Sequence, residues 1–100
     1  MNTQVIEIPE RLDITNVADI KGQVREAFHS DAARVVFDFK PCRKVDSTGL
    51  STIVTAIRLS KMTRKEFRIA NVSGEVRILL QITRFDQLVD IYESLESALA

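Results

Sequence analysis

Hydrophobic positions along the chain change repeatedly between strand-like and helix-like spacing. The segment Gln4–Ile8 predicts a short strand, and the nearly continuous apolar run Arg34–Phe39 predicts a central strand covered on both faces. Two more strands are predicted at Phe67–Val72 and Leu88–Tyr92. Pro41 ends the central strand, because proline cannot donate a hydrogen bond to a neighbouring strand.

Apolar residues at helical spacing predict four helices between and after these strands. The first follows Asn16, the second runs from Ser47 to about Met62, the third follows Ser73 and the last starts at Ser94. Asn and Ser are favoured at the N-cap, where the side chain accepts a hydrogen bond from a backbone N–H of the first turn. The first helix has one apolar stripe, formed by Val17, Ile20, Val24, Ala27 and Phe28, and the second is predicted to point Leu50, Ile53, Val54 and Ile57 inward. The third helix carries Val76, Leu79, Leu80 and Thr83, and the last holds Leu95, Ala98 and Leu99.

The alternation of strands and helices predicts an α/β fold with a small, mixed and largely parallel sheet built from right-handed crossover units. The length of 100 residues predicts a single domain, residues 1–100. Open α/β sheets usually carry their functional surface beyond the carboxyl ends of the strands. The turn after Arg34–Phe39 lies at such an end, so the residues that follow it are candidates for the functional surface.

Charge and composition argue against several classes of partner. Fourteen Lys and Arg residues balance fourteen Asp and Glu residues, whereas nucleic-acid binders need a surplus of positive charge. The basic segment Lys61–Arg68 is predicted to be a solvated loop.

A single cysteine, Cys42, excludes an internal disulfide and fits a reducing compartment. No long apolar run or signal-like N-terminus is present, so we expect a cytoplasmic protein without membrane insertion.

The residues of most catalytic and cofactor sites are missing or isolated. His29 is the only histidine and is predicted to lie on the surface near a helix end, so neither a metal site nor a Ser-His-acid triad is expected. Cys42 has no evident activating base. Gly22, Gly49 and Gly74 are isolated, which excludes the common phosphate-binding loops. We therefore expect no catalytic residue, no metal and no cofactor, and any ATP site would belong to a partner.

The sequence Asp46-Ser47-Thr48-Gly49 places two hydroxyls behind a carboxylate at the start of the second helix. Ser47 can cap the helix, which is the commoner role of such a serine. It can also carry a phosphoryl group, because free backbone N–H groups and the helix dipole tolerate negative charge at this end. Asp46 would repel that charge but would help to orient the hydroxyl. Spacing alone favours the plain cap, and the two roles are compatible.

The outward face of this helix is predicted to be a docking surface. If Leu50, Ile53, Val54 and Ile57 point inward, small hydroxyl residues lie on the other side and form a flat patch suited to a protein partner. The predicted partner-binding residues are Asp46, Ser47, Thr48, Gly49, Ser51, Thr55 and Arg58.

The stretch "VVFDFKPCRKVDSTGLSTIV" resembles the centre of STAS domains, the fold of bacterial anti-sigma-factor antagonists. In that family an apolar strand ending near Asp is followed by a loop and D-S-[ST]-G-L. "ERLDITNV" is similar to the family's Leu-Asp segment, here Leu12-Asp13, and "IANVSGEVRILLQITRFDQLVDIYESLESAL" to its C-terminal half. The likeness covers residues 4 to 99 in order.

This resemblance implies a four- to five-stranded sheet with about four helices packed mainly on one side. It implies that Ser47 is phosphorylated by a cognate serine kinase that is also an anti-sigma factor. The unphosphorylated chain would bind that kinase and release its client, and a phosphatase would remove the phosphoryl group. Thr48 is not usually the main site. The implied function is a phosphorylation-regulated binding module and not an enzyme.

The chain departs from the family pattern at several turns. Ser51 follows Leu50 where glycine is usual, Arg11 and Arg84 stand near or at positions where glycine is common, and "TRKEF" lacks the glycines of that turn. We expect altered turns and, because the family's first strand is missing, a sheet with one strand fewer. An alternative function is a STAS subunit of a lipid ABC-transport complex, although the intact D-S-T-G-L motif argues against it.

Overall fold

The computed structural model of the chain describes residues 2–100. Its strands are β1 (Thr3–Glu7), β2 (Arg11–Leu12), β3 (Arg34–Asp38), β4 (Lys44–Val45), β5 (Glu66–Ala70) and β6 (Asp90–Tyr92). Its α-helices are α1 (Val17–Phe28), α2 (Ser47–Thr63), α3 (Gly74–Ile82) and α4 (Leu95–Leu99), and a single 3₁₀ turn covers Phe85–Gln87.

Four strands form one sheet in the order β1-β3-β5-β6, and each pair in it is parallel. Each residue of β3 is buried, as the continuous apolar run predicts for a central strand. The predicted α/β class and largely parallel sheet are confirmed. A second, two-stranded parallel ribbon joins β2 to β4 and was not predicted, because two-residue strands leave no periodic signal.

Helices α1, α2 and α3 cover one face of the sheet, which confirms the prediction that the helices pack mainly on one side. Their buried side chains share a core with the sheet, represented by Val24, Ile53, Leu80, Phe37 and Phe67. The short helix α4 covers the other face, where Ala98 packs against Val36 and Ala70.

Two arginines of the sheet hold α4 in place. Arg34 is buried and donates from Nη1 to the carbonyl of Leu99 at 3.1 Å, and Arg68 donates to the carbonyl of Ala98 at 2.9 Å. The carboxylate of Glu66 lies 2.9 Å from the Arg68 guanidinium. Positive charge at the C-terminal carbonyls stabilises a helix. At the other end of α4 the predicted Ser94 cap is confirmed as a capping box with Ser97.

Several predicted boundaries differ from the structure. Lys61–Arg68 is not a loop, because α2 continues to Thr63 and β5 begins at Glu66. The strand predicted at Leu88–Tyr92 is limited to Asp90–Tyr92, since the chain before it forms the 3₁₀ turn. Asn16 and Ser73 do lie at N-cap positions, but neither side chain makes the capping hydrogen bond.

Two turns in which glycine was expected keep the backbone geometry that favours glycine. Arg64 has φ of 58° and Arg84 has φ of 62°, both in the left-handed region. At both positions arginine adopts the left-handed conformation itself, at a cost of about 1–2 kcal/mol per residue.

Candidate functional site

Asp46, and not Ser47, caps helix α2. The backbone of Asp46 is extended, and its Oδ1 accepts a 2.7 Å hydrogen bond from the N–H of Gly49. Ser47 is the first helical residue and is exposed, and its hydroxyl has no hydrogen-bond partner within residues 2–100. The prediction that Ser47 caps the helix is therefore wrong. Its hydroxyl is left accessible for another role.

Gly49 is buried where helix α2 meets strand β2. A Cβ built on Gly49 would lie 2.1 Å from the carbonyl oxygen of Leu12 and 3.0 Å from Cγ1 of Val45. No side chain fits at that distance from a backbone oxygen, so glycine lets the first turn of α2 rest directly on the ribbon. Gly49 thus supports the predicted partner-binding surface from below and presents no side chain to a partner.

The β2–β4 ribbon fixes the start of α2 relative to the sheet. Arg11 pairs with Lys44 and Leu12 with Val45 across the ribbon, and the N–H of Asp46 donates to the carbonyl of Leu12 at 3.3 Å. The backbone is therefore still extended at Asp46, where the ribbon ends. An extended backbone is the geometry that an N-cap residue requires.

The exposed face of α2 continues from Ser47 along the helix. Arg58 is exposed, whereas Thr48, Ser51 and Thr55 are half-buried. The Ser51 hydroxyl donates to the carbonyl of Thr48 at 2.5 Å, so it is held against its own helix.

Val54 belongs to this surface, which corrects the prediction that it points inward. Its exposed fraction is 38%, while Leu50 and Ile57 are half-buried and Ile53 is fully buried. Counting from Ser47 by three and four residues reaches Ser51, Val54 and Arg58, and this helical spacing could have identified Val54. The inward position that the sequence assigned to Val54 is taken by Thr52, which is fully buried.

A cleft of about 370 Å³ lies beside the start of α2. Its lining consists of Arg11, Leu12, Asp13, Lys44, Val45, Asp46 and Glu75. Hydrogen bonds from the side chain and backbone of Thr15 hold the pKa of Asp13 below its usual value. The cleft is not predicted by the sequence, because only the ribbon and the N-terminal turn of α3 bring these separate segments together.

The remaining candidate groups are His29, at the end of α1, and Cys42, in the loop between β3 and β4. His29 is exposed, with Nδ1 2.8 Å from the carbonyl oxygen of Arg25. Cys42 is buried, and its burial raises the pKa of the thiol. Residues 2–100 contain no cluster of His, Cys, Asp and Glu side chains that could hold a metal ion. Among the same residues no helix has the length and apolarity needed to cross a membrane.

The protein is a small parallel α/β domain. Its helix α2 is capped by Asp46 and presents the free hydroxyl of Ser47 at the carboxyl edge of the sheet. The chain belongs to the STAS domain family, whose model matches residues 2–98.

Solved structures share this fold. A STAS domain protein from Planctomyces limnophilus has a TM-score of 0.83 at 22% identity, covering 99% of this chain and 96% of that one. The Bacillus cell fate determinant SpoIIAA in its phosphorylated form gives 0.76 at 20% identity, covering 98% and 88%. The unphosphorylated form of SpoIIAA, an anti-sigma factor antagonist, also gives 0.76, at 18% identity and coverage of 98% and 86%. A sulfate transporter family protein from Wolinella succinogenes gives 0.80 at 16% identity, covering 97% and 81%.

Proposed function

We propose that this STAS domain is a phosphorylation-regulated protein-binding module of the anti-sigma-factor-antagonist type. In this proposal the chain, unphosphorylated at Ser47, binds a cognate serine kinase that is also an anti-sigma factor and thereby releases the client of that kinase. A phosphatase restores the binding form. The chain acts in the cytoplasm as a single domain and catalyses no reaction itself.

The observation that carries this proposal is the free hydroxyl of Ser47 at the start of α2. Because Asp46 supplies the capping hydrogen bond, modification of Ser47 removes no contact that the helix needs. The exposed position gives a kinase access to the oxygen. The N-terminal N–H groups of α2 tolerate the added charge.

The proposed docking surface runs from Ser47 along α2. It comprises Asp46, Ser47, Thr48, Ser51, Val54, Thr55 and Arg58. A phosphoryl group brings about −1.5 to −2 charges, which a docked partner would have to desolvate. A penalty of about 3 kcal/mol reduces affinity more than a hundredfold, so the switch needs no rearrangement of the fold.

The test combines intact mass with binding. Incubation with ATP and a serine kinase encoded near the same gene should add one phosphoryl group to the wild-type chain and to Thr48→Val, and none to Ser47→Ala. Calorimetry should show the kinase binding the unphosphorylated chain at least about a hundredfold more tightly than the phosphorylated one. Equal affinities for the two forms would refute the switch.

A second candidate is a STAS subunit of a transport complex, and the likeness to the Wolinella succinogenes protein is the observation in its favour. This role predicts no phosphoryl uptake with any neighbouring kinase. It also predicts that a tagged chain co-purifies with a membrane permease after mild detergent extraction, which the switch does not predict.

A further inference from the structure

Two basic side chains lie side by side next to the residue that precedes Ser47. Arg11 and Lys44 occupy paired positions on the β2–β4 ribbon, and both are exposed. Both line the 370 Å³ cleft together with Asp46. A third cation, Arg43, lines the adjoining cleft with Arg11, Lys44 and the carboxylates of Glu10 and Glu75.

None of these three cations forms an ion pair among the described residues, although, besides the hydrogen bonds from Thr15, the charge of Arg11 contributes to the lowered pKa of Asp13. Within residues 2–100 the ion pairs are Arg34–Glu66, Arg68–Glu66 and Arg77–Glu93, and none involves the cleft. The cleft does contain three carboxylates, of which two are already engaged: Asp46 caps α2, and Asp13 accepts two hydrogen bonds from Thr15. Glu75, on the first turn of α3, is the remaining one and is exposed.

Chain geometry places Lys44 within reach of a group on Ser47. The backbone is extended through β4 and Asp46, so the Cα atoms of Lys44 and Ser47 are at most about 10 Å apart. A lysine side chain and a phosphoryl group can span such a separation between them. Arg11, opposite Lys44, adds a guanidinium whose planar donors suit phosphate oxygens.

We propose that Arg11 and Lys44 form a clamp that binds the phosphoryl group of phosphorylated Ser47 within the same chain. The inference rests on the proposed phosphorylation of Ser47. The two exposed cations of the ribbon pair with the dianion, and the N-terminal N–H groups of α2 add to the attraction. The clamp turns the phosphoryl group toward the ribbon, which changes the shape of the docking surface as well as its charge.

The test needs no kinase, because phosphoserine can be incorporated at position 47 during translation. A ³¹P NMR titration then gives the second pKa of the phosphoryl group, which is about 6 for free phosphoserine. The clamp should lower this pKa by about 0.5 unit or more in the wild-type chain. The double variant Arg11→Gln/Lys44→Gln should bring it back toward 6.

The matched control removes the same charge elsewhere. Arg25→Gln/Lys61→Gln changes exposed cations on α1 and near the end of α2, and Lys61 lies about 21 Å along the helix from Ser47. This control variant should leave the second pKa of the phosphoryl group as low as in the wild-type chain. A titration that is the same in the wild type and the ribbon variant, or a control that shifts as far as the ribbon variant, would overturn the clamp.

Salt provides a second measurement on the wild-type chain alone, in case the ribbon variant does not fold. At about 1 M salt the screening length falls to about 3 Å, and the depressed pKa should rise. A pKa unaffected by salt also counts against the clamp. Because the phosphoserine is introduced without a kinase, failure of the clamp is distinguishable from failure of the proposed function, which is read from phosphoryl uptake.

Discussion

The carboxylate of Asp46 accepts a 2.7 Å hydrogen bond from the backbone N–H of Gly49 and so caps α2 in front of Ser47. This contact assigns the structural role to one residue of the D-S-T-G motif and leaves the hydroxyl of the next residue free. The helix cap and the proposed phosphorylation site can therefore be tested by separate mutations.

Replacing Asp46 should weaken the fold, whereas replacing Ser47 should not. Asp46→Ala removes the capping acceptor and should lower the free energy of unfolding by about 1 kcal/mol, while Asp46→Asn keeps an acceptor and should cost less. Ser47→Ala loses no hydrogen bond and should stay within about 0.5 kcal/mol of the wild type. Urea unfolding followed by circular dichroism measures each value. A larger loss for Ser47→Ala than for Asp46→Ala would show that the cap is assigned wrongly.

The close approach of Gly49 to Leu12 predicts a strong effect of one added methyl group. In Gly49→Ala the new Cβ would meet the Leu12 carbonyl oxygen at 2.1 Å, so the ribbon must move, at a cost of about 2–3 kcal/mol. Gly22→Ala is the matched control, because Gly22 also lies in a helix and a Cβ there meets nothing within 4 Å. That change should stabilise the chain by about 0.5–1 kcal/mol. Equal effects of the two substitutions on the thermal midpoint would contradict the contact.

The buried hydroxyl of Thr52 should be a stability defect. Thr52 is fully buried, and its Oγ1 has no hydrogen-bond partner among the described residues. Thr52→Val replaces the hydroxyl with a methyl group of similar shape and should stabilise the fold by about 1 kcal/mol. Thr55→Val, at a half-buried position on the same helix, should change stability by less than about 0.5 kcal/mol. Destabilisation by Thr52→Val would mean that the hydroxyl does have a partner.

The buried thiol of Cys42 predicts a loss of stability at alkaline pH. Burial raises its pKa in the folded chain, so the unfolded chain loses the proton first as the pH rises. The stability contributed by the neutral thiol is complete below the ordinary thiol pKa of about 8.5 and is lost as the pH rises through the folded value. Urea unfolding from pH 7 to about 10 should therefore show a steeper decline for the wild type than for Cys42→Ala. Parallel declines for the two chains would exclude the thiol as the cause.

Local hydrophobic periodicity predicted the order of the four α-helices and of the four strands of the main sheet, because the core preserves that periodicity. Arg34–Phe39 predicted the buried central strand, and the motif at residues 46–49 identified the start of α2 as the candidate site. Periodicity also predicted the parallel sheet, since each strand is separated from the next by a helix.

The arrangement of the residues at that candidate site depends on packing between distant segments. Whether Asp46 or Ser47 caps α2 depends on where the β2–β4 ribbon ends its extended backbone, and a two-residue ribbon has no periodic signal. The placement of Val54 on the surface depends on the rotation of α2 about its own axis, which the contact between Gly49 and Leu12 fixes. The pairing of Arg11 with Lys44 joins residues far apart in the chain, and only packing between distant segments brings such residues together.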